Sequence, residues 1–305
     1  MSHHHSIRNL LNIKGKNITF DKNFCSTETI KKAIINQMFT TFQSICVLDE
    51  FKSVKSAAEA MSFIFCDSET GEIVDIVEDR RLPILKGYFL RYSKKARDAV
   101  KTIVIDMYSP YISLIQEVFP KAEIILDKFH ILQLFSRALN KTRINVMNRD
   151  KKNYNKLKTY WKLLLKDQTK LDYKNYTYHR CFKKHMCEVE ILHYLIDLDS
   201  ELKASYELYQ YVQHCIKIKD FELLKKTLEN KQNIVSSYMK TAIKTINKYI
   251  HYVENTLKYD YNNGILEGIH NKIKVIKRIS FGYRSFYHFR NRIFITQNLA
   301  KIKTA

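Results

Sequence analysis

Three acids in this chain stand where a metal ion could be held. Asp49 closes the apolar run "SICVLDEF", Asp106 closes "KTIVIDMY", and Glu267 lies in "NNGILEG". Both aspartates are expected at the ends of β-strands that neighbour each other at the centre of a sheet. Open α/β sheets form sites at the carboxyl ends of their strands. Two carboxylates brought together there repel and need a cation, and hard oxygen ligands favour Mg2+ or Mn2+. A third acid, from a helix packed on that sheet edge, would complete a site for two ions. Such sites drive in-line displacement at phosphorus. Glu267 is the helix acid that fits. Acids after strands are also common turn formers and helix caps. Asp127, at the end of "AEIILD", competes with Asp106, and spacing leaves that choice open. His130 in "DKFH" is read as a packing or hydrogen-bonding side chain. Asp67, Asp75 and Asp79 are read as solvated turn or edge residues.

Glu267 sits in a strongly basic segment. Residues 258–305 hold ten Lys and Arg against two acids, Asp260 and Glu267. On a helix, Asn271, Lys274 and Arg278 follow Glu267 on one face. Lys277 adjoins them, and Arg284, Arg290 and Arg292 stand among Tyr283, Phe286, Tyr287 and Phe289. One helix could therefore aim an acid at the metals and a stripe at the phosphates leading to them. Backbone contacts of this kind position DNA without reading its sequence. The aromatic residues are read as core. Over the whole chain, 52 Lys and Arg oppose 31 Asp and Glu, a formal charge of +21. That excess points to a polyanion, most simply nucleic acid, although a Lys-, Ile-, Asn- and Tyr-rich composition also fits an AT-rich genome.

The elements that must position these residues follow from the pattern. From Ser44 the order reads three strands, helix, strand, helix, strand, helix. The first three strands are joined by tight turns, one of them "DSETGE", and are expected to be antiparallel. The later strands are separated by helices and are expected to be parallel. "LPILKGYFLRYSKKARDAV" has helical spacing, with Leu82, Leu85, Phe89 and Tyr92 on one face. Ser109 reads as a helix cap with Pro110 in the first turn. This is an α/β, ribonuclease H-like mixed sheet with flanking helices. Residues 151–255 contain neither Pro nor Gly and are read as an all-α insertion, with Trp161 in its core. A helix is expected from about Ile265 to Arg278. The resulting divisions are a leader, 1–43; a first core part, 44–150; the insertion, 151–255; and a last core part, 256–305.

"HRCFKKHMC", from His179 to Cys187, has a spacing that fits no common zinc finger. Six scattered cysteines without a CxxC pair suit a reducing compartment. "MSHHHSIRNLL" lacks an apolar core and cleavage site for secretion, and no apolar run reaches membrane-spanning length. The expectation is a cytoplasmic protein.

Six stretches together resemble one family. "LDEFKS", "MSFIFCDSETGEIVDIVEDRR", "VIDMYSPY", "FPKAEIILDKFH", "NGILEGIHNKIKVIKR" and "GYRSFYHFRNRI" run in order from Leu48 to Ile293. The chain resembles the ISL-three group of bacterial insertion-sequence transposases, of the DDE superfamily. The resemblance implies a ribonuclease H-like core, a helical insertion before the last acid, and two Mg2+ or Mn2+ ions. The implied ligands are Asp49 of "DEFKS", Asp106 of "VIDMY" and Glu267 of "NGILEG". It implies strand cleavage at an element end, strand transfer into target DNA, and double-stranded DNA as partner, and with these a bacterial, nucleoid-associated protein; a homodimer is a further expectation. "SIRNLLNIKGKNITF" resembles the family's opening, yet Asp49 follows soon after and the CxxC pairs of the end-reading region are missing. The chain therefore reads as internally shortened. A decayed transposase that only binds DNA, or a related Mg2+-dependent nuclease or resolvase, are the alternatives.

Overall fold

The computed structural model describes residues 45–57, 59–230, 234–259 and 264–302, with side chains to residue 297. The leader, 1–43, lies outside the described residues. The chain divides into two compact units, residues 1–124 with 261–305, and residues 125–260.

The first unit is built on a sheet. Strands β1 (Ile45–Lys52), β2 (Met61–Asp67) and β3 (Ile73–Val77) are joined by short turns. β1 and β2 run antiparallel from Cys46↔Asp67 to Lys52↔Met61, and β2 pairs antiparallel with β3. Helices α1 (Leu82–Phe89) and α2 (Lys94–Asp98) lead to β4 (Thr102–Ile105), α3 (Ser109–Val118) and β5 (Glu123–Leu126). The spatial order is β3-β2-β1-β4-β5, with β1 parallel to β4. This is the mixed sheet that the order of elements predicts. All four residues of β4 are buried, as a central strand covered on both faces requires.

Four local expectations are corrected. The helical stretch after Arg81 is two helices, because Ser93 accepts from the Ala96 amide at 3.1 Å and restarts the chain as an N-cap. Ser109 is the first helical residue and not the cap; Tyr108 holds that place with no side-chain bond, and Pro110 lies in the first turn as expected. β1 runs three residues past Asp49, to Lys52, because β2 continues to pair with it there. Asp67, Asp75 and Asp79 are buried, not solvated. Each finds donors: Asp67 the amides of Glu69 and Thr70, Asp75 the Tyr88 hydroxyl, Asp79 the amide and Nε of Arg81.

The unit closes with α12 (Gly264–Ile279) and α13 (Phe286–Ile302); helices α4–α11 belong to the second unit. The buried stripe of α12 is Leu266, Ile269, Ile273 and Ile276, spacings of three and four that face one side. That side packs on β1. Gly71, at φ 69° in the β2–β3 turn, lies so near the start of α12 that an added Cβ would meet Ile265 Cγ2 at 3.3 Å.

The second unit is mostly helical: α4 (Lys128–Arg149), α5 (Tyr154–Thr159), α6 (Trp161–Leu165), α7 (Glu188–Ile196), α8 (Ser200–Ile218), α9 (Phe221–Asn230), α10 (Ser237–Lys248) and α11 (Ile250–Lys258). α8 and α10 both pack on α4. The segment is not all-α. A hairpin, β6 (Thr177–His179) with β7 (Lys184–Met186), interrupts it, where "YTYH" favours strand and Lys183 supplies a left-handed φ of 53°. Trp161 is 36% exposed and does not form a core. His179 spends its ring nitrogens on Tyr160, Thr177 and Met186, which fits a hairpin histidine better than a zinc ligand.

Candidate active site

Alternation along β1 decides which acid faces which helix. Asp49 Oδ2 lies 3.6 Å from His270 Nδ1 on α12, and the Phe51 ring lies 6.2 Å from the same imidazole. Glu50, between them, points to the other face and accepts from Tyr111 of α3 and from Arg80. The period of two thus separates adjacent acids into different chemistries. Glu50 is held in an ion pair; Asp49 faces the helix that carries Glu267.

The β1–β4 register brings in Asp106. Ile45 pairs with Thr102, Cys46 with Ile103 and Val47 with Val104. Two residues further on, the same register sets Asp49 level with Asp106, the first residue past β4. Past Val47, β1 is paired by β2 alone. Asp49 therefore sits where β1 outlasts β4, at an edge opened inside the sheet. Both aspartates are half-buried.

His270 lies beside Asp49 and also feels the charge of Asp106. Burial pushes its pKa below the ordinary histidine value, Lys274 adds to that, and the Asp106 charge opposes it. An imidazole so placed is neutral at neutral pH and adds no positive charge to the site. Its Nε2 is buried and has no hydrogen-bond partner among the described residues. Sequence reasoning passed over this residue. The available signal was its place three residues after Glu267, one turn along the same side of the helix.

Glu267 lies in the first turn of α12 and is exposed. Among the described residues, the oxygens of Asp49, Asp106 and Glu267 are not all within 4.8 Å of one another. The two aspartates are thus brought to one edge, with Glu267 one helical turn from the imidazole beside Asp49. The donor set of hard carboxylate oxygens fits a divalent cation such as Mg2+. In the second unit, Asp127 is the N-cap of α4, accepting from the Phe129 amide at 3.1 Å, and lies 3.8 Å from His130.

The residues expected to face DNA in the basic segment divide into two groups. Asn271, Lys274, Arg278, Arg284 and Arg292 are exposed. Lys277 and Arg290 are turned into the protein, against the expectation that they face DNA. Lys277 Nζ donates to the carbonyls of Lys52 and Ser53 and lies 5.1 Å from the Phe289 ring centre. Burial and the Lys52 charge hold its pKa below the usual lysine range. The Arg290 guanidinium pairs with buried Asp75, and its Nε also donates to the Ile76 carbonyl at 3.1 Å. Both close open backbone ends: β1 beyond its partner, and β3 at the sheet edge. Of the aromatics read as core, Phe286 and Phe289 are buried, whereas Tyr287 is 64% exposed.

Residues 46–293, about four fifths of the chain, match a family of transposases, the ISL-three group. The chain belongs to that family. Two curated relatives are similar. The transposase for insertion sequence element IS1001 of Bordetella parapertussis is 23% identical over 79% of this chain and 58% of its own length. A Lactococcus lactis protein named as an ATP-dependent protease is 36% identical over 40% of each chain. The chain thus spans less than two thirds of either relative. Their names differ; the match across residues 46–293 decides the family. Among the described residues, no helix is long and apolar enough to cross a membrane.

Proposed function

We propose that this transposase-family chain carries the catalytic machinery for cutting and joining DNA strands, with a divalent cation, Mg2+ or Mn2+, held by Asp49, Asp106 and Glu267. The observation that carries the reading is the shared setting of Asp49 and Asp106. They occupy level positions on adjacent parallel strands, Asp106 just past the end of β4. Asp49 lies beside one half-buried imidazole on the helix that bears Glu267, and Asp106 acts on it through its charge. The IS1001 transposase of Bordetella parapertussis, similar across both compact units, supports DNA as the substrate.

Bound divalent ions supply Lewis-acid stabilisation of the attacking and leaving oxygens at phosphorus. The chain does the rest. Asp49 and Asp106 offer carboxylate oxygens from adjacent strands, the first within β1 and the second just past the end of β4. His270, neutral, stays beside Asp49 without adding positive charge. Glu267 offers the third carboxylate from the first turn of α12. Exposed Asn271, Lys274 and Arg278 extend from that turn along the helix, with Arg284 and Arg292 beyond. They can hold the phosphates that lead to the acids. Lys277 and Arg290 fix α12 and α13 to the sheet, and so keep these groups in place. The reaction is hydrolysis at an element end, followed by attack of the freed 3′-hydroxyl on a target strand. No covalent enzyme intermediate is required.

The test compares the chain with Glu267→Gln on supercoiled plasmid in Mg2+, Mn2+ and Ca2+. Expected is nicking in Mg2+ or Mn2+ by the unmodified protein, little in Ca2+, and none by Glu267→Gln, with salt-dependent binding retained. Equal nicking by both proteins in Mn2+ would refute the catalytic reading and leave a protein that only binds DNA.

A further inference from the structure

The turn between α12 and α13 hands a phenylalanine to solvent. Phe281 is 100% exposed, and its φ of 52° lies in the left-handed region. That conformation ends α12, with the Phe281 amide donating to the Arg278 carbonyl at 3.3 Å. Glycine is the least costly residue at such a helix end, and Gly282, at φ 109°, is next in the chain. The protein instead places a large apolar side chain at the costlier position and buries none of it. The turn is braced: Ser280 Oγ and Tyr283 Oη are 2.8 Å apart. Behind it, on the outward side of α12, Val275 and Ile279 are 52% and 61% exposed and lie one turn apart. Exposed Arg278 and Arg284 stand in sequence on either side of the ring.

An apolar groove on a protein partner would match the ring but not the cations beside it. Nucleic acid matches both, with phosphates for the arginines and the flat face of a base for the phenyl ring. Apolar side chains inserted between base steps open and kink duplexes in this way, and aromatic rings hold unstacked bases by stacking. We propose that Phe281 is a wedge that inserts at a weakened step of duplex DNA and stacks on the base released there, with Arg278 and Arg284 on the flanking phosphates. The inference rests on the reading that DNA lies along α12. Opening a step costs least where pairing is already poor, so the wedge confers a preference for distorted over regular duplex.

The experiment measures binding of a short matched duplex and the same duplex with one central mismatch, at fixed salt. It also measures permanganate oxidation of a thymine beside the mismatch. The unmodified chain should favour the mismatched duplex and expose the thymine. Phe281→Ala should lose roughly tenfold in affinity for the mismatched duplex, and with it the preference and the oxidation. Phe281→Trp should keep both. The salt slope should be the same in all three, since no phosphate contact is removed. Trp161 is the single tryptophan, so a chain carrying Trp161→Phe and Phe281→Trp reports stacking directly, as quenching of its indole fluorescence on the mismatched duplex. This holds even if Phe281→Ala folds poorly. Unchanged preference in Phe281→Ala, or indole fluorescence that stays unquenched on bound DNA, overturns the wedge. So does a loss of self-association in Phe281→Ala with DNA preference intact, which would make the ridge a contact between copies. Mismatch preference in a chain that never nicks would refute the catalytic reading alone; a chain that binds neither duplex refutes both.

Discussion

Arg290 separates a structural arginine from a DNA-binding one, and its loss should be felt in folding. Its guanidinium meets Asp75, whose side chain is 8% exposed against 20% for Arg290. Asp75 also accepts from Tyr88 Oη at 2.5 Å and from the Ile76 amide at 2.7 Å. Removing one partner of a buried ion pair costs about 3–5 kcal/mol, since the other charge stays buried. Here two donors remain to Asp75 and the arginine keeps an edge in water. We therefore expect Arg290→Ala to cost roughly 2–3 kcal/mol. At about 2–4 °C per kcal/mol for a domain of this size, the melting temperature should fall by roughly 5–10 °C. Asp75→Asn should cost less, about 1–2 kcal/mol, because the freed guanidinium retains the Ile76 carbonyl and some solvent. The double variant should cost less than the sum of the two, as expected for groups in direct contact. Calorimetry on the four proteins gives the cycle, and titrations with DNA at several salt concentrations give the binding side. Arg290→Ala should leave the salt slope unchanged. A protein with an unaltered melting temperature and a slope reduced by about one unit would show that this arginine neutralises a phosphate, and the structural assignment would be refuted.

Two further outcomes follow from other regions. Removing Lys274 and Arg278 together should flatten the log–log salt dependence of DNA binding by roughly one to two units and leave melting unchanged, because both are exposed; an unchanged slope would mean that α12 does not face DNA. In the second unit, burial and then the Asp167 charge push the Tyr206 phenol up to about 12. A raised folded pKa gives stability that is complete below the unfolded value near 10 and is lost as pH climbs from there to about 12. Tyr206→Phe should make that alkaline loss shallower in denaturant titrations, and an identical slope in both proteins would show that Tyr206 titrates normally.

The chain's order of apolar runs was enough to establish a mixed sheet, because short β-rich runs divided by turns or by helices allow few topologies. The buried stripe of α12 was likewise legible, since periodicity near 3.6 is a local property. Pairs across long sequence separation were not. Asp75 stands in a hairpin strand that reads as an edge, and only packing brings Arg290, 215 residues away, to its carboxylate. Lys277 and Arg278 are neighbours in a basic helix, but helical phase puts the first against the end of β1 and the second in solvent. His270 lies three residues after Glu267 in a stretch the sequence already marked, but its meaning comes from packing, which sets Asp49 3.6 Å from its ring and brings it under the Asp106 charge. Composition and period determine which face of an element is buried. Which charge meets which is decided by where tertiary packing lowers the dielectric around it, and that depends on residues far away in the chain.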